Sequence, residues 1–235
     1  MEIEVLRAQE RGIIKNKEFT GYTLFSNGQR GTGRRDNFGG VYVCNDDYLN
    51  PGSMVGLHPH ANVEIVTIMV SGTESHRDTL GIHENYTSGD VQLISSGIGL
   101  QHAGGNVSST EVARHLQIWI APQVTGTTPT AQVRKVSATE PNNEWIPLLT
   151  PDGKPNTLAI KQNVWISRAA LAGDSDIRYT LMQAGNGVMI YILHGQISVG
   201  GVLASEEDTL FITGARHLHI KANEQTALLL IETVL

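Results

Sequence analysis

An all-β chain built from two β-barrel units is the fold class this sequence predicts, and three observations carry it. Short runs rich in Val, Ile, Leu and Thr recur, among them VEIVTIMV, DVQLIS, HLQIWIA, VMIYILHG, DTLFITG and TALLLIETV, separated by Gly, Asn, Ser and Asp. No window carries a long, well-capped apolar stripe at helical spacing, so helix is a minor component, with room for one turn each in SATEPNNEWIPLL and SRAALAGDS. The third observation is a faint repeat. IVTIMVSGTES followed by GDVQLIS is matched by MIYILHGQISV followed by EDTLFIT, each an apolar strand, a Gly turn, a second strand, and an acidic residue opening a third.

Taken in order, the N-terminal MEIEVLRAQERG has neither the basic start nor the apolar stretch of a signal peptide. NGQRGTGRR, residues 27–35, is rich in Gly and Arg, but it lacks the Lys-Ser/Thr end of a phosphate loop. It reads as a β-loop, with Arg30, Arg34 and Arg35 as a weak anion site. Residues 121–160 concentrate Pro, Thr, Asn and Gly between two strand-rich halves, as a connecting region does. This divides the chain into an N-terminal domain, 1–130, and a C-terminal domain, 131–235. The C-terminal run TALLLIETVL is far short of the ~20 apolar residues that cross a bilayer.

Composition narrows the function classes. The chain has 235 residues, 40% of them hydrophobic, enough to bury a sizeable core in two domains. A net charge of −6 gives no broad basic surface for nucleic-acid phosphates. The single Cys44 can form no internal disulfide and has no recognisable base, so a reducing, cytoplasmic setting without membrane association is expected.

The chemistry concentrates in GLHPHANVEIVTIMVSG, residues 56–72. Residues two apart on a strand share a face, so His58 and His60 can present both rings to one ion, with Cα atoms about 6–7 Å apart. A straight strand carries Glu64 roughly 13 Å beyond His60, so the chain must bend around Ala61 and Asn62 for its carboxylate to join them. A third imidazole, His102, follows the Gly-rich SGDVQLISSGIGLQHAGG. In the second half the positions matching His58, His60 and Glu64 are Leu181, Gln183 and Gly187, so the first half holds the site; His217 and His219 of HLH read as ordinary strand or loop residues. His76 and Asp78 read as solvent-facing hairpin residues, and His83 and Glu84 as loop. Alternation sets His115, Gln117 and Trp119 on one face and Leu116, Ile118 and Ile120 on the other, with His115 a candidate for the pocket wall or a replacement ligand.

HPHANVEIVTIMVSGTESHRDTLG, SGDVQLISSGIGLQHAGG and LQIWIAP together resemble the first domain of pirins and bacterial pirin-like quercetinases, within the cupin superfamily, across about residues 37–122. The resemblance implies a bicupin, two β-sandwich or jelly-roll barrels with few short helices, and metal in the N-terminal one. It implies one divalent transition metal on His58, His60 and His102, Fe(II) foremost, with Zn, Ni, Cu or Mn as alternatives. The implied activity is quercetin 2,3-dioxygenase chemistry on a flavonol-like aromatic substrate with O2, giving a depside and carbon monoxide. The family's glutamate, two residues after the last histidine, is replaced here by Gly104. Either Glu64 supplies the missing metal ligand and catalytic base, or three histidines hold the ion with water, or the site is degraded. In the last case the protein is a non-catalytic, pirin-like metal-binding or regulatory protein acting through a protein partner.

Overall fold

The structure, a computed structural model, describes residues 1–26, 35–136 and 142–235. The first five residues of the turn expected in SATEPNNEWIPLL, 137–141, lie outside the described residues, and its Trp145 end leads into a strand. The turn expected in SRAALAGDS fails to form: Ser167–Leu171 lies inside a strand, because its apolar residues alternate against a sheet. Among the described residues the one helix is a three-residue 3-10 turn, Ala8–Glu10, and no helix is long and apolar enough to cross a membrane. The loop 27–34, with Arg30 and Arg34, lies outside the described residues. Arg35 ion-pairs with Glu4 and stacks on Phe38 and Phe211.

The strands of the first half are β1 (Glu2–Leu6), β2 (Gly12–Lys15), β3 (Phe19–Thr23), β4 (Val41–Leu49), β5 (Met54–His60) and β6 (Glu64–Ser71). They continue as β7 (Thr73–Asp78), β8 (His83–Thr87), β9 (Val91–Ser95), β10 (Leu100–Asn106), β11 (Ala113–Ile120) and β12 (Thr130–Arg134). The second half runs β13 (Ile146–Thr150), β14 (Leu158–Ala159), β15 (Val164–Leu171), β16 (Asp176–Thr180) and β17 (Gly187–His194). It closes with β18 (Gln196–Val199), β19 (Val202–Ser205), β20 (Thr209–Thr213), β21 (His217–Ala222) and β22 (Thr226–Thr233).

Each half pairs a seven-stranded sheet with a four-stranded one. The first has β12-β9-β6-β11-β4-β3-β2 against β5-β10-β7-β8; the second has β1-β20-β17-β22-β15-β13-β14 against β16-β21-β18-β19. The proposed division at residue 130 needs two adjustments. β12 continues the first half's sheet on β9, and β1 is handed to the second half, where Glu2–Leu6 pair with Thr209–Thr213.

Alternation along β11 explains where the core sits. Leu116, Ile118 and Ile120 turn outward into a core shared with Met189, Tyr191, Phe211, Leu229 and Ile231 of the second half, so the two seven-stranded sheets meet back to back. The interior of the second barrel is one apolar cluster that includes Ile190, Leu210, Leu228 and Leu230. The interior of the first is different: two small apolar clusters, around Met69 and Ile94, flank a cavity.

Candidate metal centre

β5 and β10 pair antiparallel so that His58 stands directly opposite His102 and Leu100 opposite His60. Cross-strand neighbours share a face, and all three histidines therefore project into the first barrel. The ring centroids are 4.4 Å apart for His58 and His102, and 5.0 Å for His60 with each of the others. One nitrogen from each histidine lies within 4.8 Å of the other two. The Trp119 ring packs edge-on against His60 at 5.0 Å.

The donor set fits a transition-metal ion. His102 Nε2 is buried with no hydrogen-bond partner, as a ligand nitrogen facing an ion would be. His58 Nδ1 lies 2.8 Å from the Gly56 carbonyl, which fixes the tautomer and leaves Nε2 free as a donor to metal. Burial, and then the neighbouring imidazoles His58, His60 and His76, hold the His102 pKa down at about 3. His60 is lowered by burial and by His58. Both stay neutral, the form that binds Zn, Fe or Ni.

Glu64 is not brought to this cluster. The chain does bend where the sequence requires, with Asn62 in the left-handed region at φ 53°, but β6 starts in the other sheet and sends Glu64 to its outer face. There the carboxylate accepts hydrogen bonds from Ser95 Oγ at 2.6 Å and from the backbone N–H of Lys161, in the second half, at 3.2 Å. Gly104 lines the cavity. An added Cβ there would stand 2.3 Å from the Ser75 carbonyl oxygen, so the strand contact resists any side chain.

His76 and Asp78 do not face solvent as the sequence suggests: they are 3% and 8% exposed, on the inner face of β7. His76 Nε2 lies 2.9 Å from Asp78 Oδ2, and its ring is 5.6 Å from His102. His83 and Glu84 are exposed, at the start of β8 rather than in a loop. His217 and His219 are exposed on β21, bonded to Thr180 and Asp176. Cys44 is free and buried, its thiol pushed up by burial and then by Asp46 and Asp47.

The cavity, of about 180 Å3, also reaches Asp47, Thr67, Glu74 and Gln92, which the sequence reading passed over. His115, a candidate for wall or ligand, lines the wall: Nδ1 lies 2.5 Å from Glu74 Oε1, and Nε2 lies 3.4 Å from Asp47 Oδ2. Burial would lower the His115 pKa, but attraction to Glu74 and the contacts with Asp47 outweigh it and push it up to about 10. Gln92, Gln117 and Thr67 complete this polar face. That Glu74 shares a strand face with His76 and Asp78 was legible from their period of two just after Gly72, but not that this face is the inner one.

The family model described as Pirin matches residues 8–120, and that described as Quercetinase C-terminal cupin domain matches 148–233. The chain is 31% identical over 230 residues to a quercetin 2,3-dioxygenase of Escherichia coli strain K12, covering 98% of each chain. Its fold superposes on the crystal structure of YhhW from Escherichia coli with a TM-score of 0.93, at 31% identity, over 99% of this chain and 97% of that one. A crystal structure of the bacterial pirin YhhW in complex with nickel(II) is similar at a TM-score of 0.92, 30% identity and 99% coverage of both chains.

Proposed function

This chain belongs to the pirin family of cupins, and on that footing we propose that it is a metal-dependent dioxygenase of quercetinase type, acting on a flavonol-like substrate with O2. The observation that carries the reading is the convergence of His58, His60 and His102 on one point in a cavity that the second barrel fills with aliphatic side chains. Fe(II) is the first choice of ion, and the nickel complex of the relative supports a divalent transition metal in this position. A metal held there supplies a Lewis acid that lowers the pKa of a coordinated hydroxyl.

The chain's own groups do the rest. The three imidazoles would hold the ion, and Trp119, seated on His60, covers one side of that ring. Glu74 takes the role of proton acceptor that the sequence assigned to Glu64, since its carboxylate reaches the cavity and Glu64 does not. Phe19, Leu49 and Ile65 supply apolar wall for an aromatic ring.

The second reading, a non-catalytic pirin-like protein, is favoured by Gly104, where the carboxylate of related sites is missing. Metal content of protein purified without a His-tag, followed by quercetin consumption and carbon monoxide release after Fe(II) loading, separates the two. One equivalent of metal with stoichiometric carbon monoxide supports the enzyme. Full loading with no turnover of any flavonol supports the alternative.

A further inference from the structure

The two barrels share one plan, and their strand registers allow position-by-position comparison. In the first, Thr67 stands between Gln92 and Gln117, and His115 stands beside Asp47. In the second, Ile190 stands between Leu210 and Leu230, and Leu228 beside Ala169. Glu74, two residues past Gly72, answers to Ile197, two past Gly195. The second-barrel residues all belong to one buried apolar cluster. A barrel of this plan closes on aliphatic side chains, so the polar set in the first is not a requirement of the fold.

Two of these polar groups are also unsatisfied: Asp47 Oδ1 and Gln92 Nε2 are buried without a hydrogen-bond partner, on residues 5% and 2% exposed. His115 Nε2 is turned to Asp47 Oδ2 at 3.4 Å. Buried polar atoms are ordinarily paired, and each exception costs stability. All three residues line the cavity from the seven-stranded sheet, while the histidines line it from the four-stranded sheet. Packed sheets stand about 10 Å apart. The cavity's volume of about 180 Å3 suits one aromatic ring, since an engineered cavity of roughly 150 Å3 takes benzene and drug-sized ligands need about 300 Å3 or more.

We propose that Asp47, Gln92 and His115 form a recognition subsite for the uncharged, hydroxyl-bearing far edge of a single aromatic ring whose near edge faces the three histidines. This rests on reading the histidines as a metal centre, and it admits one ring of a flavonol-like substrate to the cavity rather than the whole molecule. A hydroxyl can donate to Asp47 Oδ1 and accept from Gln92 Nε2, and a methyl group can do neither. A carboxylate in the same place meets the negative charges of Asp47 and Glu74, which the one His115 cation only half offsets.

The test is calorimetric titration of zinc-loaded protein, in which redox turnover is absent, with three catechols: 3,4-dihydroxybenzyl alcohol, 4-methylcatechol and 3,4-dihydroxybenzoate. Wild type is expected to bind the alcohol about tenfold more tightly than the methyl compound, and the benzoate least well. Gln92→Leu, which copies Leu210 of the second barrel, and Asp47→Asn each reduce that preference below about threefold. Gln92→Leu also unfolds at the same or a higher temperature, which a structural role for the amide would not allow. Equal wild-type affinities, a preference that survives both substitutions, or no binding of any probe overturns the proposal. Metal-free protein separates it from the reading beneath it: a preference that persists while zinc adds no affinity removes the metal centre and keeps the subsite. Zinc-dependent binding without discrimination does the reverse.

Discussion

A carboxylate that is 1% exposed must be held by hydrogen bonds, and Glu64 is held by Ser95 and by the backbone of Lys161. Burial raises its pKa against those bonds. Glu64→Ala is expected to leave metal stoichiometry unchanged while lowering stability by about 1–3 kcal/mol, the cost of orphaning buried donors, measured by urea unfolding beside metal analysis. Loss of the ion in that variant would return Glu64 to the site. His115 makes a second residue-scale prediction. Its folded pKa of about 10 lies above the ordinary ~6.5, so the folded state holds the proton that the unfolded state releases. The stabilisation is full below about pH 6.5 and is lost as pH rises towards 10. The melting-temperature advantage of wild type over His115→Gln should shrink across that window, and an advantage that grows with pH would refute the pairing with Glu74 and Asp47.

At the scale of elements, β7 and β10 explain the missing glutamate. Gly104 is opposed by His76 and sits on the Ser75 carbonyl, so Gly104→Glu pushes two paired strands apart before any carboxylate reaches an ion. It should destabilise by about 1–3 kcal/mol without tightening metal binding, read by thermal melts and metal competition. The obstacle is a cross-strand contact and not a left-handed backbone, since Gly104 is absent from the positive-φ glycines. Contacts of this kind are not written in local sequence. The pairing of His58 with His60 was legible because a strand's period of two is local, and His102 was reached through its motif. The inner faces of β4, β7 and β9 were not, because a stripe such as Glu74, His76 and Asp78 looks the same on a solvated hairpin as inside a barrel. Only the position of the opposing sheet decides which it is.

For the whole molecule, the repeat was legible in apolar rhythm and Gly turns, and it located the barrels. It gave no hint of how they are joined. Asp46, fully buried, accepts a two-pronged bond from Arg114 at 2.9 Å and a bond from Tyr191 of the second half at 2.7 Å. Arg11 reaches the same tyrosine at 3.0 Å and pairs with Glu207. With a common apolar core behind these charges, unfolding should be a single calorimetric transition. Asp46→Asn should lower stability by about 3 kcal/mol or more, because it leaves buried guanidinium charge short of a partner. Two separate transitions in wild type would show that the halves are energetically independent.

The placement of β1 bears on how the protein is made. Its partner β20 is about 200 residues further along the chain, and a ribosome adds roughly 5–20 residues per second. β1 therefore waits on the order of 10–40 seconds before the edge it completes exists. During that interval the first barrel can close without it, since β1 is no part of that barrel's sheets. Synthesis of β20 thus closes a clasp, in which a segment made about 200 residues earlier locks onto it.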